Sequence, residues 1–315
     1  SWSADGTLRM WSDNGLERRV LQKHTGAING ALELRGGRLL SWSEDRTLRL
    51  WDTTGKSLTE LTGHARRVDG ALELSDGRLL SWSWDNTLRL WDTGGEALAE
   101  IELRGLTYVA GGLTDVLELS DGRLLCWSLF SEFIQLWDAG VEAYEELKVH
   151  TKNVAGVFEL SNGRLLSWTS CNDNTLWLSD AGGEALVEMT GHTRGVNGVL
   201  ELRDGRLLSW SMDNTLRLWD AGGYALAELT LHTSSVKGAL ELRDGRLLSW
   251  SNDNTLRLWD EGGYALAELT GHTHFVVGAL ELRDGRLLSW SKDNILRLWS
   301  AGGDALAVLT GHTLG

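Results

Sequence analysis

Apolar and polar positions alternate in short bursts along this chain, and no stretch sustains a helical period. One segment shows the pattern clearly. Val236 to Leu242 reads Val-Lys-Gly-Ala-Leu-Glu-Leu, Arg246 to Ser251 reads Arg-Leu-Leu-Ser-Trp-Ser, Thr255 to Trp259 reads Thr-Leu-Arg-Leu-Trp, and Ala265 to Thr270 reads Ala-Leu-Ala-Glu-Leu-Thr. Most of these runs alternate apolar with polar or small residues, the period of a strand buried on one face. The joints between them hold Asp244-Gly245, Asp253-Asn254 and Gly262-Gly263, residue types that tolerate the positive φ of a tight hairpin. Four antiparallel strands, a to d, are therefore predicted. The last run is composed of good helix formers, but it is too short between its glycines and the next loop for an ordinary helix. It too is expected to be a strand.

The same phrase returns along the whole chain. The Trp of Ser-Trp-Ser, or of its variants, falls at Trp2, Trp42, Trp82, Trp127, Trp168, Trp210, Trp250 and Trp290, in steps of 40, 40, 45, 41, 42, 40 and 40 residues. A period of this size marks a stacked-repeat architecture, because one unit does not bury its own apolar face. Four-stranded meanders ending in Trp-Asp are the signature of a β-propeller.

The residues at the joints sharpen this into a resemblance. Gly63-His64, Asp85 and Trp91-Asp92 recur as Gly191-His192, Asp213 and Trp219-Asp220, and as Gly271-His272, Asp293 and Trp299, with 21 residues from His to Asp each time. The chain resembles the WD-repeat (WD40) β-propeller family over essentially its whole length. The expected fold is all-β, with eight blades in one domain over residues 1–315, standing alone or cut from a longer chain. Strand a is expected seven times and strands b, c and d eight times, so the chain starts inside strand b of its first repeat. His312 at the far end is expected to meet Asp5 and Trp11 and close the ring. The alternative is seven blades plus a partial one.

The resemblance also assigns the repeated His, Asp and Trp. Together with a Ser of Ser-Trp-Ser they are expected to bond into structural sets: His24, Asp45 and Trp51; His64, Asp85 and Trp91; His192, Asp213 and Trp219; His232, Asp253 and Trp259; His272, Asp293 and Trp299. Ser, His and Asp are also the members of a catalytic triad, but a feature copied into most repeats is not a single active site. The strand a carboxylates (Glu33, Glu73, Glu118, Glu159, Glu201, Glu241 and Glu281) and the strand c cations (Arg49, Arg89, Arg217, Arg257 and Arg297) read as repeated structural ion pairs, since charges packed between blades are paired. The Trp of Ser-Trp-Ser reads as packing between blades.

Composition narrows the function. With 44 acidic and 30 basic residues the formal net charge is −14, a poor match to nucleic acid phosphates. No apolar run approaches a membrane span. The two cysteines, Cys126 and Cys171, make no disulfide framework and favour a reducing, cytoplasmic setting. No metal spacing, phosphate loop or cofactor motif is present, so no metal and no cofactor are expected. The fourth and fifth repeats depart most from the pattern: the fourth lacks Gly-His and turn Asp, and in the fifth Ser179 replaces the strand c Trp. An enzyme site there would have only Glu132, His150 and Asp173 to draw on.

Differences among the otherwise similar repeats gather at two places. The residue before the turn Asp is Glu44, Trp84, Met212, Asn252 or Lys292, and the stretch after His carries Arg66, Arg67 and Asp69, or Arg194, or Lys237, or His274 and Phe275. Both places belong to the d–a and b–c connections, which share one end of a blade. Variation confined to one rim of a constant frame marks a recognition surface, and in the WD-repeat family partners bind there. The expected function is a non-enzymatic protein- or peptide-binding scaffold, monomeric and without nucleic acid or membrane partners. A multivalent glycan- or small-ligand-binding propeller is the alternative, and rim variation speaks against it.

Overall fold

The computed structural model describes residues 2–11, 17–103, 113–128, 134–138, 143–147, 154–170 and 174–309; of residues 11, 17 and 18 it describes only the backbone. They form two compact units, Ser1–Leu147 and Lys148–Gly315. Each unit holds four antiparallel sheets in chain order. The described residues make eight sheets in all, seven of four strands and one of two, and each sheet is an uninterrupted meander.

In the first unit the first sheet pairs Thr7–Trp11 with Glu17–Gln22. The second runs Ile28–Glu33, Leu39–Ser43, Leu48–Trp51 and Ser57–Leu61. The third runs Val68–Glu73, Leu79–Ser83, Thr87–Trp91 and Ala97–Glu102. The fourth runs Asp115–Glu118, Leu124–Trp127, Ile134–Trp137 and Tyr144–Leu147. In the second unit the fifth sheet spans Val154–Glu159 to Ala185–Met189, the sixth Val196–Glu201 to Ala225–Leu229, the seventh Val236–Glu241 to Ala265–Leu269, and the eighth Val276–Glu281 to Ala305–Leu309. The fourth run of each repeat is a strand, as expected. Among the described residues, strand b of the first repeat is reduced to a single antiparallel bridge from Trp2 to Leu8.

The hairpins follow from the joint residues. Gly245, Asn254 and Gly263 all sit at positive φ, at 89°, 70° and 89°, where a side chain other than Asn is strained. The residue that opens the c–d turn folds onto its own backbone: Asp220 Oδ1 accepts the N–H groups of Gly222 and Tyr224 at 2.8 and 2.9 Å, and in the eighth repeat Ser300 Oγ takes its place.

The core lies between neighbouring sheets. Leu202, Leu208, Leu216, Leu218 and Leu229 of the sixth repeat pack with Val236, Leu247 and Trp259 of the seventh, all essentially buried. Full burial of a Leu contributes about 1.5–3 kcal/mol relative to exposure, and here one buried cluster draws its members from two successive repeats. The strand b Trp packs into this layer, as expected, but it first lies across its own sheet. A methyl group added to Gly238 would sit 2.1 Å from the Trp250 ring, and the same holds for Gly70 and Trp82. This explains the glycine in the middle of every regular strand a: it makes room for an indole.

The expected ion pairs join different partners from those anticipated. Strand c Arg pairs within its own sheet with a strand d Glu: Arg49 with Glu60 at 3.0 Å, Arg217 with Glu228 at 3.0 Å and Arg257 with Glu268 at 2.9 Å. The strand a Glu instead reaches the a–b turn of the preceding sheet. Glu241 accepts the Arg203 N–H at 2.9 Å, Glu281 accepts that of Arg243 at 2.9 Å, and Glu201 accepts the Ser161 N–H and hydroxyl at 2.7 Å each. Strands c and d are direct neighbours, whereas the strand a carboxylate lies at the seam between sheets. Its role is to stitch repeats together.

Candidate functional site

At the end of each regular sheet defined by the d–a and b–c connections, four side chains form one chain of hydrogen bonds. In the second sheet the Trp51 indole N–H donates to Ser41 Oγ at 2.9 Å, Ser41 Oγ lies 2.8 Å from His24 Nε2, and His24 Nδ1 lies 2.8 Å from Asp45 Oδ2. A neutral imidazole protonated on Nδ1 satisfies every group: Trp donates to Ser, Ser to His, and His to Asp. The same order holds for Trp91, Ser81, His64 and Asp85; for Trp219, Ser209, His192 and Asp213; for Trp259, Ser249, His232 and Asp253; and for Trp299, Ser289, His272 and Asp293. Asp5 accepts from the N–H and hydroxyl of Thr7. Its expected partners, His312 and the Trp11 side chain, lie outside the described residues.

The Ser–His–Asp order is that of a catalytic triad. Each of these Ser hydroxyls is fully buried, however, and already accepts a Trp N–H, so none is presented to a substrate.

The carboxylate is the hub of the arrangement. Burial acts to raise Asp85, Asp213 and Asp253, but hydrogen bonds from the His, from a Thr hydroxyl and from a loop N–H outweigh it and hold all three well below the usual carboxylate range. Asp45 is lowered by the same kinds of donor. Burial pushes the His24 and His272 imidazoles down, against the opposite pull of Asp45 and Asp293, which fits the neutral ring. Two contributors were not singled out in the sequence. Thr two residues after Asp donates to its Oδ1, as Thr255 does to Asp253 at 2.7 Å. The second Ser of Ser-Trp-Ser ties down the d–a loop, as Ser251 does by donating to the Ser234 carbonyl at 2.8 Å. Both recur at fixed spacing, which is the signal that marks them.

The glycine before His also has a physical role. Gly63, Gly191 and Gly271 have φ of 146°, 146° and 137°, and a methyl group on them would lie 2.5–2.7 Å from the guanidinium of Arg89, Arg217 or Arg297. In the fourth sheet the frame is incomplete. Cys126 stands where the other repeats have Ser, and the buried Trp137 Nε1 has no hydrogen-bond partner among the described residues. Burial pushes the Cys126 thiol far up, so it is no thiolate. Glu132, His150, Asp173 and Cys171 lie outside the described residues.

The variable residues stand directly above this frame. In five sheets the N–H before the turn Asp donates to a carbonyl of the d–a loop: Glu44 to Ala27 (2.9 Å), Trp84 to Arg67 (3.1 Å), Met212 to Gly195 (2.9 Å), Asn252 to Ser235 (2.9 Å) and Lys292 to Phe275 (3.0 Å). The two variable positions of each repeat are thus held side by side. Glu44, Arg66, Arg67, Arg194, Met212, Lys237, His274, Phe275 and Lys292 are exposed, while Asp69, Trp84 and Asn252 are half-buried.

Residues 55–92 and 183–220 match the family model for the WD domain, G-beta repeat. Each of these two segments matches one WD repeat. The chain shares its fold with the crystal structure of the computationally designed Ika8 protein, at 22% identity over 93% of this chain and 90% of that one, with a TM-score of 0.69. It also resembles the C-terminal WD40 domain of Sif2, at 17% identity over 88% of this chain and 83% of that one, with a TM-score of 0.67. No curated protein matches the chain at a significant level. The fold is therefore all-β and propeller-like, with the His–Ser–Trp–Asp set repeated in five of the described sheets.

Proposed function

We propose that this chain is a non-enzymatic scaffold that binds a protein or peptide on the d–a/b–c rim, all 315 residues serving as one binding domain. WD40 domains generally bind proteins. The observation that carries the reading is the pairing just described: a constant hydrogen-bonded frame holds two variable side chains together in each of five sheets. Rigid support beneath exposed, chemically diverse side chains is what a specific interface requires. Because the rim side chains differ from blade to blade, one extended partner fits better than many copies of one small ligand.

The test is a displayed random-peptide library selected on the intact protein. Selected peptides are expected to lose binding when Met212, Phe275 and Lys292 are replaced by Ala. They should keep it when Asp204, Asp244 and Asp284 of the a–b turns are replaced. Loss at the a–b turns alone, or failure to select any peptide, would overturn the proposal.

A further inference from the structure

One rim position is chemically unlike the others. In the third sheet the three variable positions hold Arg67, Asp69 and Trp84. The Arg67 guanidinium carbon lies 4.7 Å from the centroid of the Trp84 ring, and Arg67 Nε bonds to Asp69 Oδ1 at 2.9 Å. Asp69 departs from its equivalents. Asn29 and Asn197 at the same position donate to the next sheet, to the carbonyls of Val68 (2.8 Å) and Val236 (2.7 Å). A carboxylate has no proton to donate, so Asp69 forgoes that stitch. Its Oδ2 is buried and has no hydrogen-bond partner among the described residues, a costly state for a carboxylate oxygen. The Arg67 side chain is 44% exposed, against 19% for Asp69, so the cation is the movable member.

An aromatic face and a carboxylate converging on one guanidinium form a site for a planar cation. One carboxylate oxygen is still unpaired, whereas a guanidinium fork engages two at once. We propose that Trp84 and Asp69 form a recognition site for an arginine side chain of the partner, and that Arg67 fills it in the unbound protein as an internal stand-in. Binding is then an exchange: Arg67 swings into solvent and the incoming guanidinium takes the ring and both carboxylate oxygens. The net charge of −14 favours the approach of a basic segment over an acidic one. This proposal rests on the rim being the binding face.

The experiment uses nitrogen-15-labelled full-length protein and N-acetyl-arginine amide as the probe, with the uncharged citrulline analogue as control. The indole N–H signal of Trp84 is assigned by its absence in Trp84→Phe. In Arg67→Ala this signal is expected to move saturably with the arginine probe, at an affinity about fivefold above wild type, the worth of one exposed cation–π contact. Citrulline is expected to leave it in place, and Arg67→Ala/Asp69→Asn to abolish the response while the other Trp signals keep their positions. A Trp84 signal that ignores arginine in Arg67→Ala, or answers citrulline equally, would overturn the proposal. Either result leaves the rim reading standing if library-selected peptides still depend on Met212, Phe275 and Lys292; loss of that dependence is the separate failure of the rim itself.

Discussion

The Ser hydroxyl is the most consequential single atom of each regular repeat. It accepts from Trp and donates to His, so removing it leaves two buried groups without partners. Ser249→Ala is expected to destabilise the protein by about 2–6 kcal/mol, the sum of two unsatisfied buried polar groups, read as a shift of the urea midpoint at constant slope. Titration follows from the same contacts. The Asp45, Asp85, Asp213 and Asp253 carboxyls are depressed in the folded state, so the unfolded chain takes up protons first. Their stabilisation is present above the unfolded carboxylate pKa of about 3.9 and is lost as pH falls through the lower folded values. His24 and His272 are also depressed, so stability begins to fall already below about pH 6.5. Thermal melts from pH 8 to 3 are expected to show two successive declines, with a plateau above neutrality.

At the scale of the strand and its turn, each repeat tests the others. In the eighth repeat Ile295 stands where Thr255 and Thr215 donate to their Asp, and Asp293 there keeps only the Ile295 N–H at 3.0 Å from that position. Ile295→Thr is expected to stabilise the protein by about 0.5–1.5 kcal/mol, the worth of one added hydrogen bond. The strand a glycine makes the converse case. Gly238→Ala drives a methyl group into the Trp250 ring and is expected to cost about 1–3 kcal/mol, the range for overpacking; Trp250→Leu in the same chain should recover part of it. Strands, hairpin positions and the His–Asp–Trp sets were legible in the sequence because each is local or recurs at fixed spacing. The partners of the strand a Glu were not. Whether a carboxylate meets the Arg of its own repeat or the turn of the preceding one depends on how one sheet lies against the next, and no spacing within a repeat encodes that. The reading of Arg67, Trp84 and Asp69 was half legible: they stood out as variable rim residues, but their convergence on one cation needed coordinates.

For the molecule as a whole, stability is expected to behave as a sum over repeats and their nearest seams. Within the second unit, the Arg203 guanidinium also lies 3.4 Å from the Glu241 carboxylate across one seam, so Glu241→Gln and Arg203→Ala should couple in a double-mutant cycle. Glu201→Gln and Glu281→Gln lie at seams two repeats apart and should add within about 0.5 kcal/mol. Urea unfolding of the single and double variants decides this. Equal coupling for both pairs would mean that the unit melts as one block with no seam-level structure.

The order of donation at the frame has one more outcome. With Trp giving to Ser, Ser to His and His to Asp, five serine hydroxyl protons sit sealed between an indole and an imidazole. A hydroxyl proton ordinarily trades places with water too fast to be seen. Held this way, each becomes a slow clock that runs only while its own sheet is open, so that the breathing of individual blades is written in five separate proton signals.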